Sequence, residues 1–96
     1  MKALAEIQVI PIGMGPSVRK EVQRAYEVIE NSGLKARLHA YGTNVEGELE
    51  SIFATVHRIH ETLHAEGIQR LATTIKIGTR TDKDASLEDK ALDPAR

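Results

Sequence analysis

Residues 34–47 read LKARLHAYGTNVEG, and the parsing of this stretch decides the fold. Leu34, Ala36, Leu38 and Ala40 alternate with Lys35, Arg37, His39 and Tyr41, the two-residue period of a strand with one apolar face. Tyr41-Gly42-Thr43 then makes a tight turn into a short second strand, Thr43 to Gly47. A hairpin therefore stands in the middle of the chain, and what flanks it on either side is helical.

Upstream, Val18, Val22, Ala25, Tyr26 and Ile29 fall at helical spacing, with Ser17 where an N-cap belongs and Gly33 beyond the end as a left-handed cap. Downstream, Leu49, Ile52, Phe53, Val56, Ile59 and Leu63 mark a second amphipathic helix, closed by Gly67. Outside these lie two more strands. Leu4 to Ile12 is apolar and β-branched and stops at Gly13-Met14-Gly15-Pro16; Arg70 to Arg80 is rich in threonine and isoleucine. The order βαββαβ contains two crossovers and folds most simply as a four-stranded antiparallel sheet with both helices on one face. The handedness of the crossovers then selects the ferredoxin-like α+β arrangement within the broader α/β class. One domain over residues 1–83 is expected, followed by a charged tail over 84–96, loosely held from Thr81 and carrying Pro94.

The helices leave one sheet face bare, and it should carry Gln8, Ile10, Arg37, His39, Tyr41, Val45, Ala72, Thr74 and Lys76. Such a half-apolar face packs on another subunit or lines a ligand site, so a homodimer or homotetramer through it is expected.

Composition excludes several classes. Thirteen basic and fourteen acidic residues leave a net charge of −1, with no dense basic cluster and only three Phe, Trp or Tyr residues, so both the footprint and the stacking platform of a nucleic-acid binder are missing. Cysteine is absent, which removes thiolate metal sites and cysteine nucleophiles. No apolar run approaches the roughly 20 residues of a membrane span, and the N-terminus lacks the layout of a signal peptide, so no membrane association and a cytoplasmic location are expected.

His60-Glu61-Thr62-Leu63-His64 spells HExxH, in which two histidines one turn apart bind zinc and the glutamate activates water. Two ligands are not a site, however. Leu63 belongs to the buried stripe, His60 lies beside it, and a straight helix cannot gather His57, His60 and His64 around one ion. Histidines on a partly solvated flank are the expectation, with no metal and no cofactor. Gly13-Met14-Gly15 lacks the third glycine of a dinucleotide loop, and no phosphate-loop or nucleophile-elbow motif is present, so no enzymatic activity is expected.

A binding site is easier to place. The first strand ends, the hairpin turns and the last strand begins at one common edge, which brings Ser17, Thr43, Asn44 and Thr73 towards one another. Asn44 and Glu46 are two apart on one strand and share a face. With Gln8 from the bare face, these six residues are the candidate ligand-binding set. Each has a bland alternative: Ser17 as the helix cap, Thr43 and Asn44 as turn formers, Glu46 with Glu48 as the acidic first turn of the second helix.

The segments Gln8-Val9-Ile10-Pro11-Ile12-Gly13, Pro16-Ser17-Val18, Ser32-Gly33-Leu34, Thr43-Asn44-Val45-Glu46-Gly47, Gly67-Ile68-Gln69-Arg70-Leu71 and Thr73-Thr74-Ile75-Lys76-Ile77 together resemble the small thiamine-binding, YkoF-like proteins, from Ile7 to Lys83. The resemblance implies a ferredoxin-like domain that associates through its sheets, commonly as a dimer of dimers, and binds thiamine or its hydroxymethylpyrimidine precursor for sequestration or delivery. On that implication Glu46 would suit the amino group or the thiazolium cation, and Thr43, Asn44 and Ser17 the ring nitrogens or the hydroxyl. Tyr41 or Phe53 would supply an apolar or π contact. With no basic cluster at this edge, unphosphorylated thiamine is preferred to its diphosphate. The alternatives are a structural or regulatory homo-oligomer with no physiological small ligand, and a zinc site at His60, Glu61 and His64.

Overall fold

Strand β1, Lys2–Pro11, runs through the middle of the sheet, because it is the segment able to be apolar on one face and mixed on the other over ten residues. A computed structural model describes residues 1–90. Following β1 come α1 (Arg19–Glu30), β2 (Lys35–His39), β3 (Gly42–Glu48), α2 (Leu49–Ala65), β4 (Leu71–Thr79) and a single-turn α3 (Leu87–Lys90). The sheet order is β2-β3-β1-β4 with every neighbouring pair antiparallel, the ferredoxin-like βαββαβ arrangement. Gly33 and Gly67, with φ of +87° and +100°, end the two long helices in the left-handed conformation that glycine adopts without steric cost. Strand β1 begins two residues earlier than Leu4. Lys2 pairs with Glu48, and the N-terminal ammonium reaches the Glu48 carboxylate at 2.7 Å.

The core lies between the sheet and the two helices. Ala3, Ala5 and Ile7 of β1 and Val45 of β3 meet Ala25, Val28 and Ile29 of α1 and Ile52, Ile59 and Leu63 of α2. Three expectations need correcting. Val45 is fully buried on the helix side and not on the bare face, since Asn44 and Glu46 occupy the bare side and alternation sends Val45 the other way. Phe53 is 52% exposed, while Thr55 is buried in its place. The stripe runs 52, 55, 59, 63, which leaves position 53 about 100° round the helix from Ile52. The buried Thr55 hydroxyl is satisfied by donating to the Ser51 carbonyl at 2.8 Å. Third, Ser17 is not the cap of α1. Val18 is the N-cap, its carbonyl accepting the first helical bond from Val22 N–H at 3.0 Å, and no side chain caps the end.

The bare face carries Gln8, Ile10, Arg37, His39, Ala72, Thr74 and Lys76 in register, as expected. Its other end is covered. Ala85 and Leu87 are each 8% exposed and pack with Leu4 in a second small cluster, so the chain at 85–87 is seated on the sheet rather than loose. Residues 91–96, including Pro94, lie outside the described residues.

Candidate functional site

Helix α1 does not close fully on the sheet. Its second half is buried through Ala25, Val28 and Ile29, but Val18, Val22 and Tyr26 are only half-buried, because the hairpin β2–β3 ends short of them. The gap is a cleft of about 190 Å³ between α1, β1 and residues 39–43 of the hairpin. Its floor depends on Gly42. A Cβ there would stand 2.7 Å from the Ile7 carbonyl oxygen, so the hairpin can approach β1 this closely only with glycine at that position.

The cleft wall is apolar on the helix side, with Val18, Val22 and the ring of Tyr26; on the sheet side Thr43 faces it, while Gln8 and Ile10 border it with side chains that belong to the bare face. Tyr41, 78% exposed, stands at the rim beside His39. Tyr41 N–H donates to His39 Nδ1 at 3.3 Å, which places the proton of the neutral imidazole on Nε2. That Nε2 lies 3.1 Å from a Glu6 carboxylate oxygen but out of hydrogen-bonding alignment and out of contact with solvent. Among the described residues lining the cleft there is no Asp, Glu, Lys or Arg. Its polar groups are an amide, three hydroxyls and an imidazole, which can donate to and accept from a neutral heterocycle but offer neither a counter-ion to a cation nor a cradle for phosphate.

The six expected site residues do not form one constellation. Gln8 and Thr43 both border the cleft but from opposite faces of the sheet, since Thr43 pairs with Ile7 on the helix side and alternation sends Gln8 to the bare side. Asn44 lies on the opposite side of β3 from Thr43, between Glu6 and Arg37 on the bare face. Glu46 is on that face too, four residues beyond Gly42 and so about 13 Å along the strand. Its Oε1 accepts the N–H of Leu87 at 2.8 Å. This also removes the alternative of Glu46 as an acidic first turn, since it sits inside β3 and Glu48 is the N-cap of α2. Ser17 is exposed in the loop before α1. Thr73 sits on the helix side of β4, opposite Val9, with its hydroxyl 2.6 Å from His60 Nε2. Phe53, outside on α2, is not near the cleft wall; Tyr41 is part of it. Sequence reasoning missed Val18, Val22 and Tyr26 as site residues because helical spacing assigned them to the core.

The HExxH residues are each engaged elsewhere. His60 meets Thr73, His64 Nδ1 lies 2.7 Å from the Ile68 carbonyl, and Glu61 pairs with His57 at 3.5 Å. No group of three or more His, Asp or Glu residues is placed to hold a metal among the described residues. Burial, then the neighbouring His64 and His57, hold the His60 imidazole below its ordinary value of 6.5. The folded state therefore binds fewer protons than the unfolded chain just below that value, and His60 removes stability as pH falls through 6.5. Urea unfolding at pH 7.5 and 5.5 should show a loss at the lower pH that shrinks in His60→Gln. An equal loss in both proteins would place the titration elsewhere.

Comparison with known proteins gives a consistent result. The family model described as "Thiamine-binding protein" matches residues 5–93. A UPF0045 protein of Synechocystis is 39% identical over 94% of this chain and 74% of its own length. The UPF0045 protein YqgV of Bacillus subtilis is 40% identical over 92% of this chain and 89% of its own. Among solved structures, a hypothetical protein from Methanocaldococcus superposes with a TM-score of 0.86 at 37% identity, covering 93% of this chain and 91% of the other. A Thermotoga maritima protein, provisionally named for thiamine biosynthesis or salvage, superposes with a TM-score of 0.83 at 26% identity over 94% of this chain and 95% of its own. No helix among the described residues is long and apolar enough to cross a membrane.

Proposed function

Because the chain belongs to the thiamine-binding protein family, we propose that it binds a thiamine-related pyrimidine in the cleft between α1 and the hairpin and does no chemistry on it. The observation that carries this reading is the uncharged, half-apolar cleft floored by Gly42. At about 190 Å³ it is smaller than the roughly 300–1,000 Å³ of pockets that enclose drug-sized ligands, so it suits one ring. The aminopyrimidine would sit inside, its ring against Val22 and Tyr26 and its nitrogens towards Thr43. A thiazolium, where present, would project past Tyr41, where a cation can lie on an aromatic face. Diphosphate finds no basic partner there. Glu46, expected to hold the amino group or cation, is on this reading structural.

Calorimetric titration with hydroxymethylpyrimidine, thiamine and thiamine diphosphate tests the proposal. The first two should bind saturably and the third no better than thiamine. Thr43→Val should weaken binding about tenfold, the equivalent of one lost hydrogen bond of about 1.4 kcal/mol. No heat from any of the three, with a folded protein, would sink it.

The bare sheet face favours a second property. Ile10 is 45% exposed there beside Ala72, among polar neighbours, and we propose that the chain forms a homodimer or homotetramer through this face.

A further inference from the structure

Strands β2 and β4 form the two edges of the sheet, and they are not protected alike. An edge strand invites pairing with another chain unless it is short, charged, kinked or covered. β2 is five residues long and carries Lys35 and Arg37. β4 is nine residues long, with Lys76 as its one charge, no proline and an unbroken register on β1.

The last bond to β1 fixes which backbone groups of β4 face outward. Ile12 N–H donates to the Arg70 carbonyl at 3.0 Å, one pair beyond Pro11 and Leu71. Hydrogen-bonded and non-bonded pairs alternate along an antiparallel ladder, so the even-numbered residues of β4 bond to β1. Pro11, with no N–H to give, falls at a non-bonded position opposite Leu71, in agreement. The N–H and C=O groups of Leu71, Thr73, Ile75, Ile77 and Thr79 therefore point away from the sheet, and no strand lies beyond them among the described residues.

The flank of α2 above this edge is open as well. His60 meets Thr73 of β4 at 2.6 Å, which identifies the side of α2 turned towards the edge. Phe53, seven residues earlier, lies within about 20° of that side and about 10 Å back along the helix. Its ring is 52% exposed. Ile75 and Ile77, on the helix side of β4, pack on the core but are only half-buried.

We propose that β4 pairs antiparallel with β4 of a second copy of this chain about a twofold axis at Ile75, joining two four-stranded sheets into one. The occupant follows from the register. With the axis at Ile75, the outward residues meet as Ile75 with Ile75, Thr73 with Ile77 and Leu71 with Thr79, exchanging about ten hydrogen bonds. Lys76 then stands opposite Thr74 of the second copy, and the two Ile75 side chains meet on the helix side, below the exposed Phe53 flanks. An axis at Thr73 would set Lys76 against Arg70, and an axis at Ile77 would leave Leu71 and Thr73 without strand partners. The edge is thus self-complementary in one register, apolar at its centre and free of opposed like charges. Edge pairing leaves the bare face open, so it is a contact separate from the one proposed above.

The two contacts are distinguishable by cross-linking. In this register residues 74 and 76 of the two chains form a non-hydrogen-bonded pair with Cα atoms about 4.5 Å apart, within disulfide reach. Sheets packed face to face stand about 10 Å apart, outside it. Because the chain has no cysteine, introduced ones report without background. Full-length Thr74→Cys and Lys76→Cys proteins, mixed and oxidised, should yield a 74–76 disulfide dimer well above the 74–74 and 76–76 products of each protein alone. Thr74 is exposed, so charges placed there spare the fold. Thr74→Lys sets two lysine pairs across the joint and should weaken self-association about tenfold by sedimentation equilibrium, whereas Thr74→Glu should tighten it. No excess of the 74–76 product, or the same response to both charges, would overturn edge pairing and leave association through the bare face standing. A parent that is monomeric up to several hundred micromolar would overturn both.

Discussion

Ile59→Ala will lower the unfolding free energy by about 2–5 kcal/mol, the range for deleting a fully enclosed aliphatic side chain whose surroundings cannot collapse. Ile59 is 0% exposed, at the centre of the stripe that α2 presents to β1 and β3. A domain of this size has a total stability of about 5–14 kcal/mol, so the variant should lose a large share of it, seen as a fall in the urea midpoint at unchanged slope. Phe53→Ala is the control. Its ring is half outside the protein, and the loss there should be under about 1 kcal/mol despite the larger side chain removed. Equal losses at the two positions would mean that α2 is rotated about its axis from the orientation described.

The second large effect is at Gly42. Alanine there places Cβ 2.7 Å from the Ile7 carbonyl oxygen, a backbone atom in the central strand that has nowhere to go. The hairpin must lift, at a cost of about 1–3 kcal/mol. Since residues 39–43 form one wall of the cleft, pyrimidine binding should fall with it, by more than in Thr43→Val. Gly47→Ala separates crowding in general from crowding at this place. Its Cβ would meet the tip of the Leu34 side chain, which can rotate away, and Gly47 is at the far end of β3. Gly47→Ala should therefore be milder in urea and leave the titration unchanged. If Gly42→Ala binds like the parent, the ligand does not use this cleft.

The order of elements was legible because each boundary has a local cause. Gly33 and Gly67 stop helices and alternation in β2 identifies its faces, whereas the hairpin turns at Ala40-Tyr41, one residue earlier than expected, with Gly42 already paired to His39 in β3. The position of the site was legible only in part. Thr43 faces the cleft and Gln8 only borders it from the bare side, and Thr43, Asn44 and Glu46 are neighbours in sequence that a strand divides between two faces, so they cannot serve one ligand together. The half-buried Val18, Val22 and Tyr26 have the same spacing as core residues. Periodicity records which side of a helix faces inward, not whether the sheet beneath reaches far enough to fill the space. The seating of Ala85 and Leu87 could not be read at all, because a short polar segment carries no period and its partner, Leu4, lies some eighty residues away.

Strand β1 is the first element to be made and the one on which the sheet is built. Its partner β4 is made last of the strands, with Ala3 paired to Thr79. On a ribosome adding on the order of 5–20 residues per second, β1 waits several seconds with one long edge unfilled. Until then the nascent chain can hold β1 only against β3, with Ile75 and Ile77 still to come. Cooperative folding thus waits for β4, and a chain stalled before Leu71 would present the flank of β1 to any other extended peptide nearby.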